Sequence, residues 1–117
     1  MKQKICDLEN LSELFCKEFV VKNDSEQKDA FLIYFNQRCY AYINDCPHTG
    51  VNLNWQEGQF LSVDGLFIQC SLHGALFEPD SGKCIYGPCR GQSLKTLKLK
   101  VENGVVYLSG ESGFVLM

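Results

Sequence analysis

The chain has 117 residues and no low-complexity run, which is one domain's length and enough to bury a core. A net charge of −3 speaks against a nucleic-acid partner, which requires a basic face. No apolar run approaches the ~20 residues of a membrane-spanning helix, and the start from Met1 to Glu9 has no apolar signal-peptide core. The expectation is a cytoplasmic chain bound to neither membrane nor nucleic acid. In a reducing compartment its seven cysteines serve as thiols or metal ligands rather than disulfides.

In chain order, a short helix is expected over Leu8–Phe15. Glu18–Lys22 and Ala30–Phe35 read as strands, with Lys22–Asp29 a polar loop between them. Asn36-Gln37 is a two-residue turn into Arg38–Ile43, on which Tyr40 and Tyr42 share a face. Asp64-Gly65 separates Phe60–Val63 from Leu66–Gln69, and Asn103-Gly104 separates Leu97–Glu102 from Val105–Leu108. Both dipeptides are hairpin signals, because the tight turn needs positive φ at both central positions. Leu97, Leu99 and Val101 alternate with Lys98 and Lys100, as in a half-buried strand. The pattern is all-β and antiparallel.

Two segments within it carry chemistry: Cys46-Pro47-His48-Thr49-Gly50 and Cys70-Ser71-Leu72-His73-Gly74. The pattern is C-x-H, twenty-one residues, then C-x-x-H, and the chain's only two histidines fall inside it. Each box follows a strand, the first after Ile43 and the second after Gln69, which is a rigid way to present ligands. Pro47 fixes φ in the first loop. A third loop, Tyr86-Gly87-Pro88-Cys89, could fold over the site.

Two thiolates and two imidazoles suit an asymmetric [2Fe–2S] cluster. A structural zinc site is the plainer reading, although its usual spacing groups cysteine with cysteine and histidine with histidine. A Cys–His nucleophile pair is a third, with no orienting partner in view. Cys6, Cys16, Cys39, Cys84 and Cys89 read as small buried hydrophobes or free thiols, and Trp55 as packing. Lys95, Lys98 and Lys100 form a solvated face. Glu57, Glu78 and Asp80 lie in loops near the boxes, where they could steer a basic partner.

From about Ile43 to Pro88 the chain resembles the Rieske-type [2Fe–2S] proteins, specifically the small soluble bacterial Rieske ferredoxins. The resemblance rests on both boxes, on Gly74-Ala75-Leu76-Phe77, on the Ser81-Gly82 turn and on Gly87-Pro88. The flanking strands extend it over nearly the whole chain. The gap from His48 to Cys70 is longer than in most members, and the extra residues fall in Val51–Phe60, around Trp55. The resemblance implies one domain over 1–117. That domain would be a Rieske-like antiparallel β-sandwich or barrel base with a small cluster-binding subdomain at about 44–90. It also implies a single [2Fe–2S] cluster, its inner iron on Cys46 and Cys70 and its outer iron on His48 and His73.

Neutral imidazoles in place of two thiolates raise such clusters to about −150 to +300 mV, against about −400 mV for plant-type ferredoxins. High-potential relatives add a cysteine to each box, joined as a disulfide. They also place a serine and a tyrosine after the second box. The matching positions here are Val51, Leu72, Ala75 and Phe77, which implies the lower part of the range. The function implied is a soluble one-electron carrier rather than an enzyme, monomeric or weakly oligomeric, between a reductase and an oxygenase or similar terminal enzyme. The alternatives are a small subunit of a larger oxidoreductase of the nitrite reductase type, a redox sensor, and a structural zinc module.

Overall fold

The computed structural model describes residues 2–7, 9, 16–35, 38–45, 67–70, 74–87 and 90–117. Its strands are β1 (Lys2–Asp7), β2 (Cys16–Lys22), β3 (Gln27–Phe35), β4 (Arg38–Ile43), β5 (Ile68–Gln69), β6 (Leu76–Phe77), β7 (Cys84–Tyr86), β8 (Thr96–Leu97), β9 (Leu99–Glu102), β10 (Val105–Ser109) and β11 (Val115–Leu116). They pair antiparallel into three sheets, in the orders β1-β10-β9, β11-β2-β3-β4-β8 and β5-β6-β7. The all-β, antiparallel architecture is the one expected.

The five-stranded sheet is the middle layer. Successive side chains of a strand point to opposite faces, and β3 is buried without interruption from Ala30 to Ile33. Phe31 and Ile33 enter one core with Tyr42, Ile68, Cys70, Ala75, Phe77, Cys84 and Leu94. Ala30 and Leu32 enter a second core with Ala41, Ile43, Leu97, Val106 and Leu108. A strand covered on both faces must be apolar at every position. That is why Ala30–Phe35 reads as a continuous run rather than an alternating one. The small β5-β6-β7 sheet covers one face of the middle layer, and β1, β9 and β10 supply residues to the core on the other.

The expected loop over Lys22–Asp29 is half strand, since Lys22 ends β2 and 27–29 open β3. Only 23–26 lie outside β2 and β3. Asn23 explains the tight reversal: its Oδ1 accepts from the backbone N–H of Ser25 and of Glu26, while its own N–H donates to Glu26 O. One asparagine side chain thus replaces a longer loop. Polar composition reflected the exposed strand ends, not a lack of strand.

The Asn103-Gly104 hairpin is as expected, with φ of 51° and 75° at its two central residues. The strand before it is not continuous. It breaks at Lys98, where the chain leaves β4 and joins β10, and the Lys98 carbonyl accepts from Ser109 N–H. The expected alternation holds at buried Leu97 and half-buried Leu99, but Val101 is 48% exposed on the outer strand β9. The Asn36-Gln37 turn, the Asp64-Gly65 hairpin and, apart from Glu9, the Leu8–Phe15 helix lie outside the described residues.

Four strands escaped the sequence reading: β1, β6, β7 and β11. In β1 the register slips between Lys4 and Cys6, so Ile5 and Cys6 both meet the second core. Such a bulge erases the two-residue period. β11 is two residues long and is held by Leu116 N–H donating to Gln3 Oε1, 113 positions away in sequence.

Candidate metal centre

The first box is launched from β4, and the chain leading to it is held at each residue. Ile43 N–H donates to Lys95 O, Asn44 N–H to Asp29 O, and Asp45 N–H back to Ile43 O in a three-residue turn. Lys28 Nζ on β3 stands 2.9 Å from Asp45 Oδ2. That hydrogen bond, and then the charge of Asp45, raises the Lys28 ammonium above its ordinary pKa. The pair therefore stabilises the fold below the usual lysine pKa, and the contribution is lost as pH rises through the raised value. Cys46, His48 and the rest of the box lie outside the described residues.

The second box begins where β5 ends. Ile68 and Gln69 pair with Phe77 and Leu76. Beyond them Cys70 N–H donates to Ala75 O, and Gly74 N–H donates to Cys70 O, both at 2.9 Å. These two bonds close the loop at both ends, leaving Ser71, Leu72 and His73 to span it; those three residues lie outside the described set. Cys70 has no exposed surface, packs among Ile68, Ala75, Phe77 and Cys84, and forms no disulfide. A thiolate in such apolar surroundings is stable only when a bound cation compensates its charge. The position therefore suits a metal ligand and not a solvent-reached nucleophile.

The third loop meets the second directly. A Cβ on Gly87 would lie 2.8 Å from Ala75 Cα and 3.0 Å from Ala75 Cβ. The segment after Gly87 folds back on β7: Cys84 N–H donates to Gln92 O, and Gly91 N–H donates to Cys84 O. Pro88 and Cys89 lie outside the described residues, as do Val51, Trp55 and Glu57. Ala75 and Phe77 are fully buried beside Cys70, so neither position brings a hydroxyl to this end of β6.

Glu78 and Asp80, expected near the boxes, sit in the β6–β7 turn at the opposite end of β6 from Cys70. There Glu78 Oε1 accepts from Ser81 Oγ. Among the other cysteines, Cys6 and Cys84 are buried and Cys39 is half-buried. Burial raises the Cys6 thiol and pushes Cys39 up to about 11, so both stay protonated and inert. Cys84 Sγ donates to Tyr86 O. Lys98 and Lys100 form exposed ion pairs with Glu111 and Glu102, and Lys95 lies over the Phe114 ring. The solvated-face reading holds for these lysines.

The sequence reading missed Lys28 and the hydroxyl of Tyr42. Each partners a residue distant in sequence, and neither contact leaves a local signal. Among the described residues no helix is long and apolar enough to cross a membrane. Nor does any group of three His, Cys, Asp or Glu side chains there stand together as a metal site; three of the four expected ligands fall outside those residues.

A sequence profile of the Rieske [2Fe-2S] domain matches residues 2–102. No curated protein sequence matches the chain. Among solved structures, the fold is similar to a chain of the complex of reduced oxygenase and oxidised ferredoxin in carbazole 1,9a-dioxygenase. The TM-score is 0.73 and the identity 22%, over 95% of this chain and 94% of that one. It is similar to the ferredoxin of carbazole 1,9a-dioxygenase from Nocardioides aromaticivorans IC177, with TM-score 0.71 and 18% identity, over 93% of this chain and 97% of that one. A third similarity is to the terminal oxygenase of carbazole 1,9a-dioxygenase from Novosphingobium sp. KA1, with TM-score 0.73 and 20% identity. There the match covers 92% of this chain but 29% of the other, so the chain spans under a third of that oxygenase.

Proposed function

Because this chain belongs to the Rieske [2Fe-2S] domain family, we propose that it is a one-electron carrier whose cluster is held by Cys46, His48, Cys70 and His73. The observation that carries the reading is the family match, which spans both Cys–His boxes. It is supported by the placement of Cys70, buried at the mouth of a loop that two backbone hydrogen bonds close. A cluster in this site takes up and gives back a single electron. The chain's part is to fix the ligands. β4 and β5 launch the two boxes, Lys28 anchors Asp45 at the entrance to the first, and Gly87 closes on the second. The whole chain serves as one Rieske domain, with about 44–90 as its cluster-binding part. It works in the cytoplasm, taking electrons from a reductase and passing them to an oxygenase or similar terminal enzyme. The structural relatives are titled as the ferredoxin and the oxygenase of such a system, which supports this placing.

The test is an anaerobic redox titration followed by EPR of the reduced protein. The expected result is a Rieske signal and a midpoint in the lower part of the family's range. A colourless protein overturns the carrier reading, and a midpoint above about +100 mV overturns the low-potential reading. Within that experiment, Ala75→Ser is expected to raise the midpoint by about 60 mV. A hydroxyl beside Cys70 stabilises the added negative charge by about 1.5 kcal/mol if it donates to a ligand or cluster sulfur, and ~59 mV corresponds to a tenfold change for one electron. A fall in midpoint would show that position 75 does not address the site.

A further inference from the structure

Tyr42 is fully buried on β4, yet its hydroxyl reaches across to the small sheet. It donates to Pro79 O at 2.6 Å, inside the turn between β6 and β7. The ring is pinned on both sides. It lies 5.8 Å from the Phe31 ring, centroid to centroid, and a Cβ on Gly82 would come within 2.8 Å of its Cε1. Burial, and after it the charge of Asp80, raises the phenol well above its ordinary pKa, so the hydroxyl remains a donor.

The turn that Tyr42 grips does not need it in order to form. Glu78 N–H donates to Lys83 O, Gly82 N–H to Glu78 O, and Lys83 N–H to Ser81 Oγ. What the hydroxyl adds is a link between two supports. β4 ends at Ile43 and leads into the box of Cys46 and His48, while β6 and β7 carry the Ala75 and Gly87 sides of the Cys70 loop. We propose that Tyr42 is a positioning residue, which sets the height of the second ligand loop's hairpin on the strand that presents the first. The proposal rests on the ligand assignment above. It explains why a tyrosine, with a hydroxyl to satisfy, occupies a core position where phenylalanine would otherwise fit.

Tyr42→Phe removes the link and keeps the ring. It leaves the Pro79 carbonyl without its donor, at an expected cost worth roughly tenfold in the equilibrium that keeps the hairpin docked. The comparison is Val106→Ala, a truncation in the second core, on the other face of β4, that loosens the fold and leaves the Tyr42–Pro79 bond intact. Both variants are purified as full-length, iron-loaded protein. Iron release to a ferrous chelator is followed well below the melting temperatures, and hydrogen exchange is measured by mass spectrometry over residues 78–83. The expected result is release about tenfold faster in Tyr42→Phe than in Val106→Ala, with faster exchange in that turn and a broadened EPR signal. Equal release and exchange in the two variants overturns the proposal. So does wild-type protein that holds no iron, but that failure is seen before any variant is made and belongs to the ligand assignment.

Discussion

Cys70→Ser is expected to give a colourless protein with no Rieske EPR signal and background iron, while its far-UV circular dichroism stays that of the wild type. The loop around residue 70 is closed by main-chain bonds to Ala75 O and from Gly74 N–H, which the substitution leaves intact. What changes is the donor. A serine hydroxyl stays protonated at neutral pH and is a poor partner for iron that thiolate sulfur holds well. The new hydroxyl also replaces a thiol among Ile68, Ala75, Phe77 and Cys84, and a hydroxyl costs more to bury in apolar surroundings than a thiol does. The melting temperature should therefore fall below that of metal-free wild type as well as that of the loaded protein. Iron analysis and spectra taken on one preparation decide the matter. A serine variant that keeps its colour would remove Cys70 from the ligand set.

Gly87→Ala is expected to destabilise the protein by about 3 kcal/mol, and Gly91→Ala by about half as much. The two glycines have similar backbones, with φ of 104° and 93°, so both substitutions incur about 1–3 kcal/mol of conformational strain. Their surroundings differ. Nothing lies within 4 Å of a Cβ at position 91, whereas at position 87 it would strike Ala75 Cα at 2.8 Å. The struck atom is backbone, pinned by the bond from Cys70 N–H to Ala75 O. It cannot yield as a flexible side chain would, and overpacking of this kind adds about 1–3 kcal/mol. Denaturant midpoints of the two variants give the difference directly. Because Gly87 presses on the loop that Cys70 opens, its variant should also lose iron faster, while Gly91→Ala should retain it. Equal effects at both positions would mean that the close approach plays no part.

The sequence exposed those features whose cause is local. Asn103-Gly104 declares its turn because few residues accept the required backbone. Ala30–Phe35 declares a strand because it is apolar throughout. The spacing of Cys46, His48, Cys70 and His73 pointed to the family because ligand chemistry constrains residue type directly, and the family is the one the domain profile matches. What stayed hidden is relational. No local pattern announces that the run through Lys98 changes sheets, that Ile5 is a bulge, or that Gln3 captures the last strand. The reach of Tyr42 to Pro79 and of Lys28 to Asp45 belongs with these. So does the position of Glu78 and Asp80 relative to Cys70. They are near the second box in sequence, but a strand of only two residues, β6, carries the chain away from it.

The partition of the interior into two cores on opposite faces of β3 and β4 bears on how such a protein is made. Among the described residues, the core containing Leu32, Ile43, Val106 and Leu108 includes none from either box. Its described packing does not wait on iron, so it can condense as soon as the chain is synthesised. The other core includes Cys70 itself, and on the proposed ligand set its packing is tied to what that thiol carries. A cell short of iron would on this account accumulate a half-finished article: a folded platform bearing a loosely docked hairpin, accessible to whatever delivers the cluster and spared the aggregation that befalls a wholly unfolded chain.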